Sequence, residues 1–182
     1  MIVEPQISPI GQYAPDFELP GVDSQVHHLA RYLEQFALVG VIFLSNQCQY
    51  VDLALPDLKE IQAQFQPRNF TLIGINPNDS QQVPEDSFEE MKNFANQNQL
   101  NFPYLRDPNQ DVARGFQAQT TPEAFLIDKQ GILRYTGGIK NNPESPDRVQ
   151  KSYLYQAITT LLSGENLVTT STKAIGSPLK WR

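Results

Sequence analysis

Leu38-Val39-Gly40-Val41-Ile42-Phe43-Leu44-Ser45-Asn46-Gln47-Cys48 is the stretch whose reading decides the fold. Its first seven residues are apolar without interruption. A run of that length with no polar alternation reads as a strand buried on both faces of a sheet. It is far short of the ~20 apolar residues that a membrane-spanning helix needs. Downstream, residues 52–65 place Leu55, Leu58, Ile61 and Phe65 at helical spacing, and Pro67 stops the helix. Phe70-Thr71-Leu72-Ile73-Gly74-Ile75 is a second buried strand.

Further along, Pro84-Glu85-Asp86-Ser87 reads as a helix start, with Phe88, Met91, Phe94 and Ala95 on one face. Residues 102–105 form an edge strand or a connector, and residues 109–116 a short helix. Residues 123–128 and 132–136 flank Lys129-Gln130-Gly131, a hairpin turn signal. A last amphipathic helix spans 152–162 and ends at Ser163-Gly164. Strands alternating with helices predict an α/β class, with a mainly parallel sheet and an antiparallel hairpin at one edge. The body is then residues 1–164. Residues 165–182 have no helical period, yet carry Ile175, Leu179 and Trp181. They read as an extended arm that packs on the domain or on a second subunit, a homodimer being one way to cover it.

The chain has 182 residues, 14 basic and 20 acidic side chains and a net charge of −6. An acidic chain lacks the basic stripe that displaces counterions from phosphates, which argues against nucleic acid, and it is not drawn to anionic membranes. Residues 1–20 contain no basic leader region, so no secretory signal is expected. A single cysteine allows no internal disulfide and fits a reducing compartment, which makes a cytoplasmic protein the expectation.

Three places invite chemistry. Cys48 falls where the buried strand gives way to a helix, and unpaired amides and the helix dipole stabilise a thiolate there. The same residue also reads as a small, inert space-filler, because free cysteines are commonly buried. Thr120-Thr121-Pro122 precedes a strand. By composition Pro122 is an ordinary trans proline at a strand start. His27 and His28 are adjacent, so on a strand they face opposite ways and cannot chelate one ion together. The acidic run Glu85-Asp86 with Glu89-Glu90 complements a helix dipole. No Cys/His metal spacing, phosphate loop or Ser-His-Asp motif is present, so neither metal nor cofactor is expected.

Ala14-Pro15-Asp16-Phe17, Ser45-Asn46-Gln47-Cys48-Gln49-Tyr50-Val51, Asn78-Asp79, Pro84-Glu85-Asp86-Ser87-Phe88-Glu89-Glu90-Met91-Lys92, Phe102-Pro103-Tyr104-Leu105, Thr121-Pro122 and Gly176-Ser177-Pro178-Leu179-Lys180-Trp181-Arg182 fall in this order. Together they resemble the peroxiredoxin-like thioredoxin-family proteins of the alkyl-hydroperoxide-reductase/thiol-specific-antioxidant (AhpC/TSA) superfamily, over nearly the whole chain. The resemblance implies a thioredoxin-like fold: a central mixed sheet with helices on both faces. It also implies a cis Thr121-Pro122 bond beside the reactive thiol, leaving nearby backbone free to pair with an extended substrate. Three cysteines of the family pattern are replaced, by Ser45, Thr120 and Ser177. The remaining Ser-x-x-Cys resembles the Thr-x-x-Cys of peroxiredoxins, but Val41 stands at that pattern's proline and Pro122 at its arginine.

The resemblance therefore implies a monothiol redox protein. Cys48 is the nucleophile, and Ser45 donates a hydrogen bond to it. Asn46, Gln47, Thr121 and Pro122 line the substrate groove. The substrate is a peroxide or a protein disulfide, and the reductant is an external thiol of the thioredoxin, glutaredoxin or glutathione kind. The rival reading is a non-catalytic binding module that kept the groove after its chemistry was lost.

Overall fold

The structure is a computed structural model that describes residues 8–148 and 152–182. The opening residues 1–7, part of the stretch read for a leader, lie outside it. The Leu38–Phe43 run is β3, the central strand, and all six of its residues are buried. It pairs in parallel with β4 (Phe70–Asn76) on one side and antiparallel with β7 (Glu123–Asp128) on the other. β5 (Tyr104–Arg106) extends the sheet in parallel beyond β4, and β8 (Leu133–Gly137) closes the far edge as the hairpin partner of β7. The order β5-β4-β3-β7-β8 is a mixed sheet of the thioredoxin-like kind.

Alternation along β3 divides the core. Leu38, Ile42 and Leu44 join one cluster with the helices α2 (Gln49–Phe65), α3 (Phe88–Gln97) and α5 (Tyr153–Leu162). Val39, Val41 and Phe43 join a second with α1 (Leu29–Gln35), α4 (Asp111–Phe116) and Leu179 of the arm. Both faces being covered is why the strand carries no polar residue.

α2 begins three residues earlier than its apolar spacing suggests and passes through Pro56. A proline there removes one intrahelical bond. Burial of Leu55, Leu58, Ile61 and Phe65 holds the helix together across that gap. Pro67 falls in a 3-10 turn after the helix end. The Pro84–Asp86 stretch, expected as the first turn of α3, is a separate 3-10 turn. The helix starts instead at Ser87, whose hydroxyl accepts from the Glu90 amide, the N-terminal half of a capping box. An N-terminal hairpin, β1 (Glu18–Pro20) with β2 (Val26–His28), packs beside α1. Its His27 bonds Tyr32 and the Asp23 carboxylate. Among the described residues no helix is long and apolar enough to cross a membrane.

The arm, residues 165–182, runs first past β8, where the Thr136 amide donates to the Thr170 carbonyl and the Thr172 amide donates to the Thr136 carbonyl. Tyr135 donates its phenol to the Gly138 carbonyl and meets Thr172 Oγ1, and burial pushes that phenol up to about 12. Gly137, at φ +138, has no room for a side chain, since a Cβ would lie 2.1 Å from the Thr172 carbonyl oxygen. Beyond this point Ser177–Pro178 forms β9, paired antiparallel with β6 (Thr120–Thr121). Leu179 is buried in the second core cluster, and Arg114 lies over the Trp181 ring at 4.5 Å.

Candidate active site

β3 delivers the chain to a tight turn, Ser45 to Cys48, at the sheet's end. Cys48 is the N-cap of α2, with extended backbone (φ −145, ψ 115) and its own carbonyl accepting from the Asp52 amide. That backbone turns the thiol away from the helix and toward β6. Sγ lies 3.3 Å from the Thr121 carbonyl oxygen and 3.3 Å from Ser177 Oγ. A thiol has one proton and donates to one of these at a time. A thiolate has none, and of the two only Ser177 can return a bond to it.

Thr121 and Pro122 are joined by a cis peptide bond and both are buried. The structure thus brings Cys48, Thr121 and Pro122 together. Ser45 is placed differently from its expected role: its Oγ bonds Thr121 Oγ1 at 2.8 Å, and the hydroxyl beside the sulfur is that of Ser177. Gln47 is exposed on the turn. Asn46 faces away from the sulfur, accepting from the Tyr104 phenol at 2.8 Å and donating to the Glu85 carbonyl at 2.8 Å. The backbone expected to be free for substrate is also taken, because Thr120 and Thr121 already pair with Pro178 and Ser177.

Asp86 is the residue that sequence reasoning placed wrongly. It is 1% exposed, and its carboxylate accepts from the Asn46 amide at 2.6 Å, Asn76 Nδ2 at 2.8 Å and Asn78 Nδ2 at 2.9 Å. Arg106 donates to the Asp86 and Asn78 carbonyls, and burial lowers its guanidinium despite the nearby carboxylate. Tyr104 also bonds Asn76, and burial drives its phenol far up. Asn78 in turn accepts from the Lys180 amide of the arm at 2.9 Å. One buried carboxylate therefore braces both the cysteine turn and, through Asn78, the arm. The only sequence signal was Asn76-Pro77-Asn78-Asp79, amides at the end of a buried strand where donors need an internal acceptor. On the other side, Glu123 accepts from the Gln119 and Thr120 amides at 2.7 and 3.2 Å and fixes the loop entering β6. Burial raises its carboxyl above the usual range.

A thiol held at a helix start, facing a backbone carbonyl and a hydroxyl, can attack a sulfur or oxygen electrophile once deprotonated. With no second cysteine in the chain, it cannot close an intramolecular disulfide.

Comparison with known proteins gives concordant results. The model of the AhpC/TSA family matches residues 10–136. The thiol-disulfide oxidoreductase ResA of Geobacillus thermodenitrificans is 26% identical over 125 residues, 69% of this chain and 67% of that protein. Among solved structures, a hypothetical protein from Sinorhizobium meliloti superimposes with a TM-score of 0.88 at 30% identity, covering 95% of this chain and 94% of its own. A conserved protein from Geobacillus kaustophilus gives a TM-score of 0.85 at 30% identity, covering 99% and 96%.

Proposed function

Because this chain belongs to the AhpC/TSA family, we propose that it is a monothiol thiol-disulfide exchange protein in which Cys48 is the nucleophile and an external thiol completes the cycle. The observation that carries the reading is the position of Sγ: at the N-cap of α2, 3.3 Å from the carbonyl that precedes cis-Pro122. Cys48 loses its proton, and the thiolate attacks one sulfur of a disulfide. A Cys48 mixed disulfide forms, and the other sulfur leaves as a thiolate that takes up a proton. A second thiolate, from glutathione or a thioredoxin-like reductant, then attacks the bound partner's sulfur and returns Cys48 to the thiolate. A reducing cytoplasm supplies such thiols.

Disulfide exchange is favoured over peroxide reduction by the groups beside the sulfur. Its two hydrogen-bond partners are neutral, and buried Arg106 is spent on two carbonyls. A peroxidase gains from a cation that stabilises the departing oxygen. The name of the Geobacillus thermodenitrificans relative points the same way. The burial of Cys48, only 4% exposed, favours the second reading, a redox-silent binding module. Incubation with oxidised glutathione followed by intact-mass measurement separates the two. Exchange predicts one adduct, absent in Cys48→Ser and reversed by dithiothreitol. An unmodified chain after prolonged incubation favours the binding module.

A further inference from the structure

The backbone edge beside the thiol is occupied by the chain's own end. We infer that residues 173–182 are a built-in plug, and that Cys48 reacts with a disulfide only when Gly176–Pro178 leaves β6. The consequence for turnover rests on the exchange reading, whereas access to the sulfur does not.

An incoming sulfur must reach bonding distance of Cys48 Sγ, and Ser177 Oγ already sits 3.3 Å from it. The backbone of Thr120 and Thr121, which an extended polypeptide would have to engage, pairs with Pro178 and Ser177. The fit is close: a Cβ on Gly176 would lie 2.3 Å from the Thr121 carbonyl oxygen and 2.7 Å from its carbon. No other residue type rests at 176 without lifting the strand or moving the cis-Pro loop. Gly-Ser-Pro thus lies on β6 as a substrate segment would, with a hydroxyl where a substrate would present sulfur.

The plug is held at both ends and weakly in the middle. Thr172 is fixed to β8 through Tyr135 and the Gly138 amide. Leu179 is buried, and Lys180 and Arg182 bond Asn78, Gln110 and Asp79. Between these ends Lys173 and Ile175 are exposed, and β9 is only two residues long. Segments with few backbone bonds and partial exposure open at lower free energy than the fold as a whole.

Alkylation of Cys48 by iodoacetamide as a function of urea tests this in the full-length chain. The wild type should label slowly in water, at a rate that rises less steeply with urea than global unfolding does, because the opening exposes little surface. Gly176→Ala should label about tenfold faster or more, since an overpacked contact shifts the local opening, with its global unfolding midpoint close to wild type. If that variant does not fold, the urea profile of the wild type decides alone. Wild-type labelling as fast as a free thiol, wild-type labelling that tracks global unfolding, or a Gly176→Ala rate equal to wild type each overturns the plug. A variant that alkylates readily yet forms no adduct with oxidised glutathione refutes exchange and leaves the plug standing.

Discussion

Two bonded knots meet at the Ser45–Cys48 turn, and they are built to opposite rules. On one side, the Asp86 carboxylate accepts three short bonds from donors on two segments, the cysteine turn and the end of β4, and the two from the asparagine side chains are buried. Hydrogen bonds to a buried charge are the strong kind, and they are costly to leave unmade. On the other side, Cys48 has two long contacts through sulfur, to a carbonyl and a hydroxyl of neutral residues. The first knot shapes the turn. The second merely covers it. The arm touches both, through Lys180 on Asn78 and Ser177 on Cys48. The contrast teaches that stability and access are separable here: damage to the acidic knot should unfold the protein, and damage to the thiol knot should expose it.

The largest effect should come from Asp86→Ala. It strands the Asn46 amide and Asn78 Nδ2, and leaves Asn76 Nδ2 with Tyr104 alone. A loss of about 3 kcal/mol or more is expected from urea unfolding. A loss below about 1 kcal/mol would break the comparison, because the knot would then be ornamental. Leu179→Ala comes next. Its side chain is 6% exposed in the second core cluster, and about 2 kcal/mol should be lost, at the low end for a buried leucine because the arm can settle. Ser45→Ala should cost less, about 1–2 kcal/mol, by leaving the buried Thr121 hydroxyl without its partner. Its glutathione exchange rate should change less than that of Ser177→Ala, because Ser177, not Ser45, adjoins the sulfur. Equal effects of the two serines on exchange would remove the distinction.

Much of this was legible from local strings. The Leu38–Phe43 run could only be a doubly buried strand. The helix after it followed from Leu55, Leu58 and Ile61, and Thr121-Pro122 announced its cis bond through family resemblance. What escaped depends on contacts far apart in the chain. Asp86 sits among acidic residues, and nothing local separates a solvated helix start from a carboxylate buried under asparagines 8 and 10 positions away. Ser45, three residues before Cys48, looked like its partner. The extended backbone at Cys48 instead points the sulfur toward β6, where the neighbour is 129 residues downstream. Pairing of Thr121 with Ser177 leaves no periodicity to read.

The smallest predicted effect is on pH dependence, and it sharpens the thiol side. Burial raises the carboxyls of Glu123 and Asp107 above their ordinary values. In the window from the ordinary carboxylate value upward to those raised values, the folded state binds more protons than the unfolded one. Stability from these two groups is therefore fully present below that window and is lost as pH rises through it. Glu123→Gln keeps an acceptor for the Gln119 and Thr120 amides while removing the titration. The decline in urea stability across mildly acidic pH should become shallower, though not flat, since Asp107 remains. An unaltered or steeper decline would show that the loop entering β6 is not under this strain.

The proposed chemistry of Cys48 is exchange through a mixed disulfide resolved from outside the chain. It is tested most directly by isolating the Cys48–glutathione adduct and following its release at increasing concentrations of reduced thiol. Unmodified protein should be released at a rate linear in thiol concentration, with no intramolecular disulfide at any stage. Failure to form the adduct even in Gly176→Ala, or release at a rate independent of added thiol, would contradict it.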